Sequence, residues 1–568
     1  MEGVAVRKRG EFLELDEKTL DRLPYNDDLI KRVITKIKQN NQYLQEDTLG
    51  VLFEKLIREE EKKDLGQFYT PQEIVDYMID YLKIPQDAKI LDPTCGCGVF
   101  LVSLFNHLKT NKNILQNIYG VDLNETAAKI TRINLWLRAG KTQRILNILQ
   151  KNIRIGNSIV QNKAIDKKAF LWNDTFHDVL TTTGFDFIIG NPPYITLKNK
   201  KDYDVSESIF SYIANGTTNA ASLVIAKSFE LLKDNGIMAF VLPKTLLRVN
   251  SYSKLREYIL NNSKILHIFD LGSSFKGVKG EQIILVLQKT SNSSSIKKHK
   301  VMIKINQQKN KSLKSQKEFY IPQTLFKKHG LFLIFEDKQY YSLIEKINKS
   351  GEPLKDKSYI FRGISISPTS SLLSKKSNSQ HRPIIKGKDI SKSHYTNGLF
   401  IKKTAIITSK NDLFNTSKII LQNIFSCEAG IISAVDTNKN ITFDTVTNIV
   451  LKNKDIDINY LQGLFNSKLF NFYLMYAIYN KSRLTMHTDS VYIGKLPIKK
   501  TNQNKQLQVA KIASKLARSK NKKTLLAKLD TLIYNIYQIN TRERELIHKA
   551  LQTMMSHKSL SENGWTNE

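Results

Sequence analysis

Cysteine is scarce, with three in 568 residues, and two of these, Cys95 and Cys97, stand one residue apart. So few thiols cannot staple a chain of this length, which excludes a disulfide-built scaffold and fits a reducing compartment. Long apolar runs are missing too. No stretch approaches the roughly 20 apolar residues of a membrane span, and the opening MEGVAVRKRGEFLELDEK contains no apolar signal core. A cytoplasmic protein with no membrane partner is the expectation. Acid is in deficit: 53 Asp and Glu stand against 87 Lys and Arg, a formal charge of +34. Such a surface attracts polyanions, nucleic acid first. A Lys-, Asn- and Ile-rich chain from an AT-biased genome shows the same surplus, so charge alone does not decide.

Hydrophobic residues make up 41% of the chain, enough to order a folded protein, and the length implies several domains. Leu29, Val33, Ile34 and Ile37, then Leu49, Leu52, Phe53 and Leu56, recur at helical spacing and predict a helical segment within residues 1–65. Strand-like apolar runs follow at 89–91, 118–121, 185–189 and 237–242, with helix-length stretches between them. That alternation predicts an α/β fold, a Rossmann-like doubly wound sheet. Residues 265–270 and 282–288 predict an antiparallel hairpin at one edge, with the domain (66–290) ending near Thr290. The stretch 291–320 turns Ser-rich and then basic, from Lys297 to Lys317 before the first acid at Glu318, and predicts a linker or a DNA-facing edge. Short strands at 384–386, 418–422 and 446–451 and a helix over 460–476 predict a second α/β domain (321–500). A helical tail (501–568) follows, its basic face carrying Lys511, Lys515, Arg518, Lys520, Lys522 and Lys523.

Residues 90–101, ILDPTCGCGVFL, read as a strand, a turn of small residues and a helix start, so backbone can approach a ligand closely. Asp92 at the strand end can hold a cationic or hydroxyl-bearing group. The run lacks both the G-x-G-x-x-G spacing and a Gly-Lys-Ser/Thr, which argues against NAD and ATP. Cys95 and Cys97 read as small packing residues, since a metal site needs two further ligands. About thirty residues on, Tyr119-Gly120-Val121-Asp122 ends a second strand in an acid able to accept from both ribose hydroxyls. Together the two strand ends form a nucleoside site.

Phe185 to Tyr194, FDFIIGNPPY, is an apolar strand running into a turn stiffened by Pro192 and Pro193. An aromatic amine is a poor nucleophile because its lone pair is delocalised. The Asn191 side-chain oxygen and the Pro192 carbonyl can accept its two hydrogens and favour a pyramidal nitrogen, while Tyr194 can stack on a base rotated out of a duplex. A methyl on a sulfonium then needs only alignment.

With these motifs in this order the chain resembles the gamma-class N6-adenine DNA methyltransferases, the TaqI-like group, over about residues 66–289. The resemblance implies S-adenosyl-L-methionine as cofactor and duplex DNA as partner. It assigns Gly66-Gln67-Phe68-Tyr69-Thr70-Pro71 to the upstream motif, with Thr70 near the methionine end of the cofactor. Asp92, Pro93, Cys95, Gly96, Gly98 and Phe100 then belong to the cofactor loop and Asp122 to the ribose. Asn157, in Gly156-Asn157-Ser158, faces the cofactor's adenine, although family members often have Asp there. Asn191, Pro192, Pro193 and Tyr194 are catalytic, and Phe275, in Ser274-Phe275-Lys276-Gly277, lies beside the flipped base. Gly236 to Leu242 with Pro243 and Lys244 resembles the strand after the catalytic motif. Residues 385–390 (IKGKDI), 460–472 and Leu496-Pro497-Ile498 are similar to TaqI-like specificity domains.

The function these features imply is site-specific transfer of methyl to adenine N6 in duplex DNA, in a restriction–modification or other phage-defence setting. A separate endonuclease or specificity subunit would be a further partner. The same acceptors suit an RNA base amine or a protein glutamine amide, and a non-catalytic DNA-binding subunit is the alternative from another class. The basic extension of roughly 280 residues beyond Thr290 favours a duplex reader.

Overall fold

The computed structural model describes residues 70–108, 113–197, 208–214, 218–272, 280–306, 312–405, 411–426, 429–482, 486–517, 519 and 521–555. The expected N-terminal helical segment, residues 66–69, Phe275, Arg518 and Lys520 lie outside them. The chain divides into two units, Met1–Phe332 and Leu333–Glu568.

In the first unit, α1 (Gln72–Leu82) buries Ile74, Val75, Met78, Ile79 and Leu82, a helical stripe facing the core. Three strand–helix units follow in chain order: β1 (Ile90–Asp92) with α2 (Val99–Leu108), β2 (Ile118–Asp122) with α3 (Glu125–Ala139), and α4 (Gln143–Asn152) with β3 (Ile153–Ile155). Local chemistry sets the boundaries of α3. The Asn124 side chain caps its first turn by accepting from Ala127 N at 3.1 Å, and Gly140, at φ 110°, ends it in the left-handed region. Then come β4 (Phe185–Gly190), α5 (Ala220–Leu231), β5 (Leu232–Pro243), α6 (Ser253–Asn262), β6 (Ser263–Gly272), β7 (Gln282–Lys289), α7 (Ser293–Lys298), β8 (Lys300–Ile305) and β9 (Glu318–Pro322).

These nine strands form one sheet in the order β9-β8-β6-β7-β5-β4-β1-β2-β3. β3, β2, β1, β4 and β5 run parallel, with Ile90 opposite both Ile118 and Phe187, and Ile188 opposite Met238. Their carboxyl ends therefore share one edge, which is where doubly wound sheets bind ligands. Phe187, Ile188 and Ile189 are all buried although they alternate in direction, so both faces of the sheet are covered.

The expected antiparallel pair is β6 with β7, and β7 lies between β5 and β6. The sheet does not stop near Thr290. The stretch read as a basic linker or edge supplies β8, parallel to β6, and β9, antiparallel to β8. The lysines concealed these strands: Lys304 lies buried within the sheet, its charge met by Glu318 at 3.1 Å and by the Tyr77 ring.

The second unit opens with α8 (Lys338–Lys349) and contains two four-stranded sheets besides shorter two-stranded pairs. One has the order β10 (Ser358–Arg362), β17 (Val446–Leu451), β14 (Lys418–Gln422), β15 (Ser433–Asp436), all antiparallel. The other has β11 (Leu373–Ser374), β13 (Phe400–Lys402), β12 (His381–Ile385) and β16 (Ile441–Thr442). The expected helix over 460–476 is α9 (Ile458–Asn466) and α10 (Lys468–Tyr473), broken where Ser467 caps the second by accepting from Phe470 N, and α10 runs on into a π-helical turn over Leu474–Ile478. The expected tail helix is likewise α11 (Gln503–Leu516) and α12 (Lys522–Ile536), followed by α13 (Thr541–Met555).

Candidate active site

Asp92 ends β1, buried, with Oδ1 accepting from Thr94 N at 3.0 Å. Burial pushes its carboxyl well above the usual range; the Thr94 amide opposes this and the Asp122 charge adds to it. Asp122 ends β2, also buried, and accepts from Gly96 N at 2.7 Å and from Asn124 N at 2.8 Å. Burial raises its pKa as well, against those two amides and Lys168. Among the described residues neither carboxylate is ion-paired to a Lys or Arg.

The loop between β1 and α2 is held by both strands. Cys95 N donates to Val121 O at 2.9 Å, and Gly98 N donates to Cys95 O at 2.8 Å. Gly96 and Gly98 take φ of 53° and 88°, and a Cβ on Gly98 would meet Thr131 at 2.7 Å, so glycine is required there. The Thr131 hydroxyl holds the Gly96 carbonyl at 2.8 Å. Cys95 is buried against Gly120, and burial pushes its thiol up, as suits a packing residue. Phe100 is buried on α2, and the Pro93 carbonyl accepts from the Ser158 hydroxyl. Gly156 N donates to Asp122 O at 2.9 Å, which brings Asn157 to the end of β2. The Asn157 side chain is committed within its own loop: Nδ2 donates to Asp166 at 2.7 Å and Oδ1 accepts from Ile159 N at 3.2 Å.

The Asn191–Tyr194 turn leaves β4 at the same edge. Asn191 Nδ2 donates to the Thr70 hydroxyl at 3.1 Å, joining the upstream motif to the turn. The Tyr194 hydroxyl reaches both Asn191 Oδ1 and, at 2.9 Å, Val241 O on β5. The acceptor expected to stand free for an amine is therefore covered by Tyr194. Burial raises the Tyr194 pKa, so the phenol stays a donor. Pro192 is buried, and its carbonyl accepts no hydrogen bond from the described residues.

Several contributors escaped the sequence reading. Gly190 faces Asp92, where a Cβ would lie 2.6 Å from Oδ1. A glycine closing an apolar strand is itself a signal of close approach. Thr131 and Asp166 act across the fold and left no local pattern, and Ser158, named only as part of the Asn157 motif, holds the Pro93 carbonyl. Lys244, directly after β5, is buried and pairs with Asp270 at 2.7 Å and Glu281 at 3.4 Å, tying the ends of β5, β6 and β7 together.

The arrangement sets two buried carboxylates on one sheet edge, bordered by a turn of hydrogen-bond acceptors. The chain belongs to the N-6 DNA methylase family, whose model matches residues 44–363; residues 382–498 match the TaqI-like C-terminal specificity domain. It is 29% identical over 262 residues to Type II methyltransferase M.VspI of Vibrio sp. (strain 343), covering 45% of this chain and 56% of that one. It is 27% identical over 244 residues to Type II methyltransferase M.HincII of Haemophilus influenzae, covering 42% and 40%. The chain thus spans about half the length of these relatives. In fold it is similar to the Type IIL restriction-modification enzyme MmeI, solved in complex with DNA, with a TM-score of 0.59 at 13% identity over 90% of this chain and 82% of that one. No described helix is long and apolar enough to cross a membrane.

Proposed function

We propose that this protein transfers a methyl group from S-adenosylmethionine to the N6 amine of an adenine turned out of duplex DNA, within a restriction–modification system. The observation that carries the reading is the junction of Thr70, Asn191, Tyr194 and Val241, which sets the acceptor turn beside Asp92 and Asp122 on one sheet edge.

The cofactor's chemistry fits the residues present. Two buried carboxylates with raised pKa values and, among the described residues, no ion-paired Lys or Arg suit a ligand carrying positive charge and ribose hydroxyls. Asp92 would serve the charged end and Asp122 the ribose, while Gly96 and Gly98 let backbone come close. When bound, S-adenosylmethionine supplies a methyl already activated on sulfur. The chain's task is then alignment. Asn191 Oδ1 and the Pro192 carbonyl would take the two amine hydrogens, drawing the nitrogen lone pair out of conjugation. For this the Tyr194 hydroxyl gives up Asn191 and keeps Val241, leaving its ring to stack on the base. With the methyl supplied by the bound cofactor, Asn191 and Pro192 would hold the amine while its proton is released to solvent.

DNA is favoured over RNA or protein by the specificity-domain match at 382–498, and the similarity to MmeI solved on DNA agrees. The named relatives are Type II methyltransferases, which supports the restriction–modification setting and a cognate nuclease as partner.

The test is transfer of labelled methyl to host DNA, with the product nucleoside identified by mass spectrometry. N6-methyladenine is expected. Asn191→Ala should abolish transfer and leave cofactor affinity within about twofold, since its side chain serves the transition state. Normal turnover by Asn191→Ala, or a product other than N6-methyladenine, overturns the reading.

A further inference from the structure

The second unit holds a cavity of about 810 Å³, within the size range of ligand sites. It opens where the end of β15 and α9 meet the turn between α11 and α12. Ser393, Thr437, Asn459, Ser514, Lys515 and Thr524 contribute to its wall, and among the described residues no Asp or Glu lines it. Hydroxyls, an amide and one ammonium without any acid form a surface for an anion rich in acceptors.

Helical spacing extends that character outward. Lys511 lies one turn from Ser514 and Lys515 on α11, and Lys528 one turn from Thr524 on α12; all three lysines are exposed. The single acid in residues 503–536 is Asp530, which is buried and occupied by the Lys468 amide at 2.8 Å. The surface of the two helices therefore carries cations with no anion of its own to meet them. Both helices lie beyond the two family matches, which end at residues 363 and 498, so neither match gives them a role.

We propose that this cavity seats a phosphodiester of the substrate DNA, with Lys511, Lys515 and Lys528 neutralising that phosphate and its neighbours. The proposal rests on the DNA methyltransferase reading above. It adds an anchor that grips backbone and not base edges, so it strengthens binding to all sequences alike.

The test compares the wild-type enzyme with two variants on a duplex that the wild type methylates. In the first variant Lys511, Lys515 and Lys528 are all changed to Gln; in the second, Ser514→Trp fills the cavity without changing charge. The triple variant should flatten the slope of log Kd against log salt by about 3, at roughly 0.9 per phosphate contact. Ser514→Trp should weaken binding several-fold and flatten the slope by about 1. Cofactor affinity, and the methylation rate at saturating DNA, should stay at wild-type values in both. An unchanged salt slope in the triple variant, or unchanged affinity in Ser514→Trp, overturns the proposal. So does a changed elution volume with DNA affinity intact, which would make the surface a protein interface. If the wild type itself methylates no DNA, the underlying reading falls instead, and the two failures are distinct.

Discussion

Gly190 closes β4 with its α-carbon against the Asp92 carboxylate, and an added methyl would stand 2.6 Å from Oδ1. Neither neighbour has room to give: β4 is locked between β1 and β5, and Asp92 is buried and bonded to Thr94. Gly190→Ala should therefore displace the carboxylate at a cost of about 1–3 kcal/mol, read as a loss of about fivefold or more in S-adenosylmethionine affinity by calorimetry with the circular dichroism spectrum unchanged. Equal affinity would remove Asp92 from the cofactor site. Asp92, Asp122 and Asn191 were legible in the sequence because each follows an apolar run: Asp92 after Ile90-Leu91, Asp122 after Val121, Asn191 after Ile188-Ile189-Gly190. What each side chain would bond to was not. Asn157 finds Asp166 nine residues away through a loop, and Tyr194 covers Asn191 through the bend of two prolines. Those pairings follow from backbone geometry, to which composition and spacing are blind.

Strands betray themselves by apolar runs, so β2, β4 and β7 were found within a residue or two, whereas β3, three residues long, and the lysine-bearing β8 were not. A buried lysine inside a strand weakens a hydropathy reading when a carboxylate waits for it in the fold. β14 in the second unit also carries one, at its first residue, yet was expected at 418–422 from the apolar residues that follow it. Lys418 is fully buried and its amine pairs with Asp436 at 2.8 Å and with the Phe414 carbonyl at 3.1 Å. Burial lowers the Lys418 pKa, and Asp436 opposes the shift. The same carboxylate accepts from Tyr395, Asn438 and Asn440, so one ion pair fixes β14, β15 and the turn after it. Lys418→Met keeps the volume and leaves a buried anion without its cation. The expected cost is about 3–5 kcal/mol of stability in the second unit, measured by urea unfolding followed by circular dichroism. A loss below 1 kcal/mol would mean that the amide and hydroxyl donors hold the Asp436 charge by themselves.

Across the whole molecule the two units carry buried groups of opposite pH response. In the first, His267 on β6 is fully buried between the Tyr77 hydroxyl and the Met302 carbonyl, and burial lowers its pKa from 6.5 to about 4. Between those values the unfolded chain binds a proton that the folded unit refuses, so acidification from pH 7 to 5 withdraws about 2 kcal/mol of stability. In the second, burial raises the Asp530 pKa from 3.8 to about 6, with the Lys468 amide and charge opposing. Here the folded unit takes up the proton first, so the same acidification returns about 1 kcal/mol. Scanning calorimetry at pH 7 and pH 5 should show the two contributions through their variants. In His267→Gln the acid-induced loss of stability should shrink by about 2 kcal/mol, and in Asp530→Asn it should grow by about 1 kcal/mol, because a compensating uptake is gone. Identical pH dependence in the wild type and both variants would show that neither group titrates differently in the folded and unfolded states. The contrast follows from charge type and not from position. A buried base is held neutral by refusing a proton and a buried acid by keeping one, so a chain with a surplus of 34 positive charges can still hold both groups uncharged over the interval between pH 4 and 6.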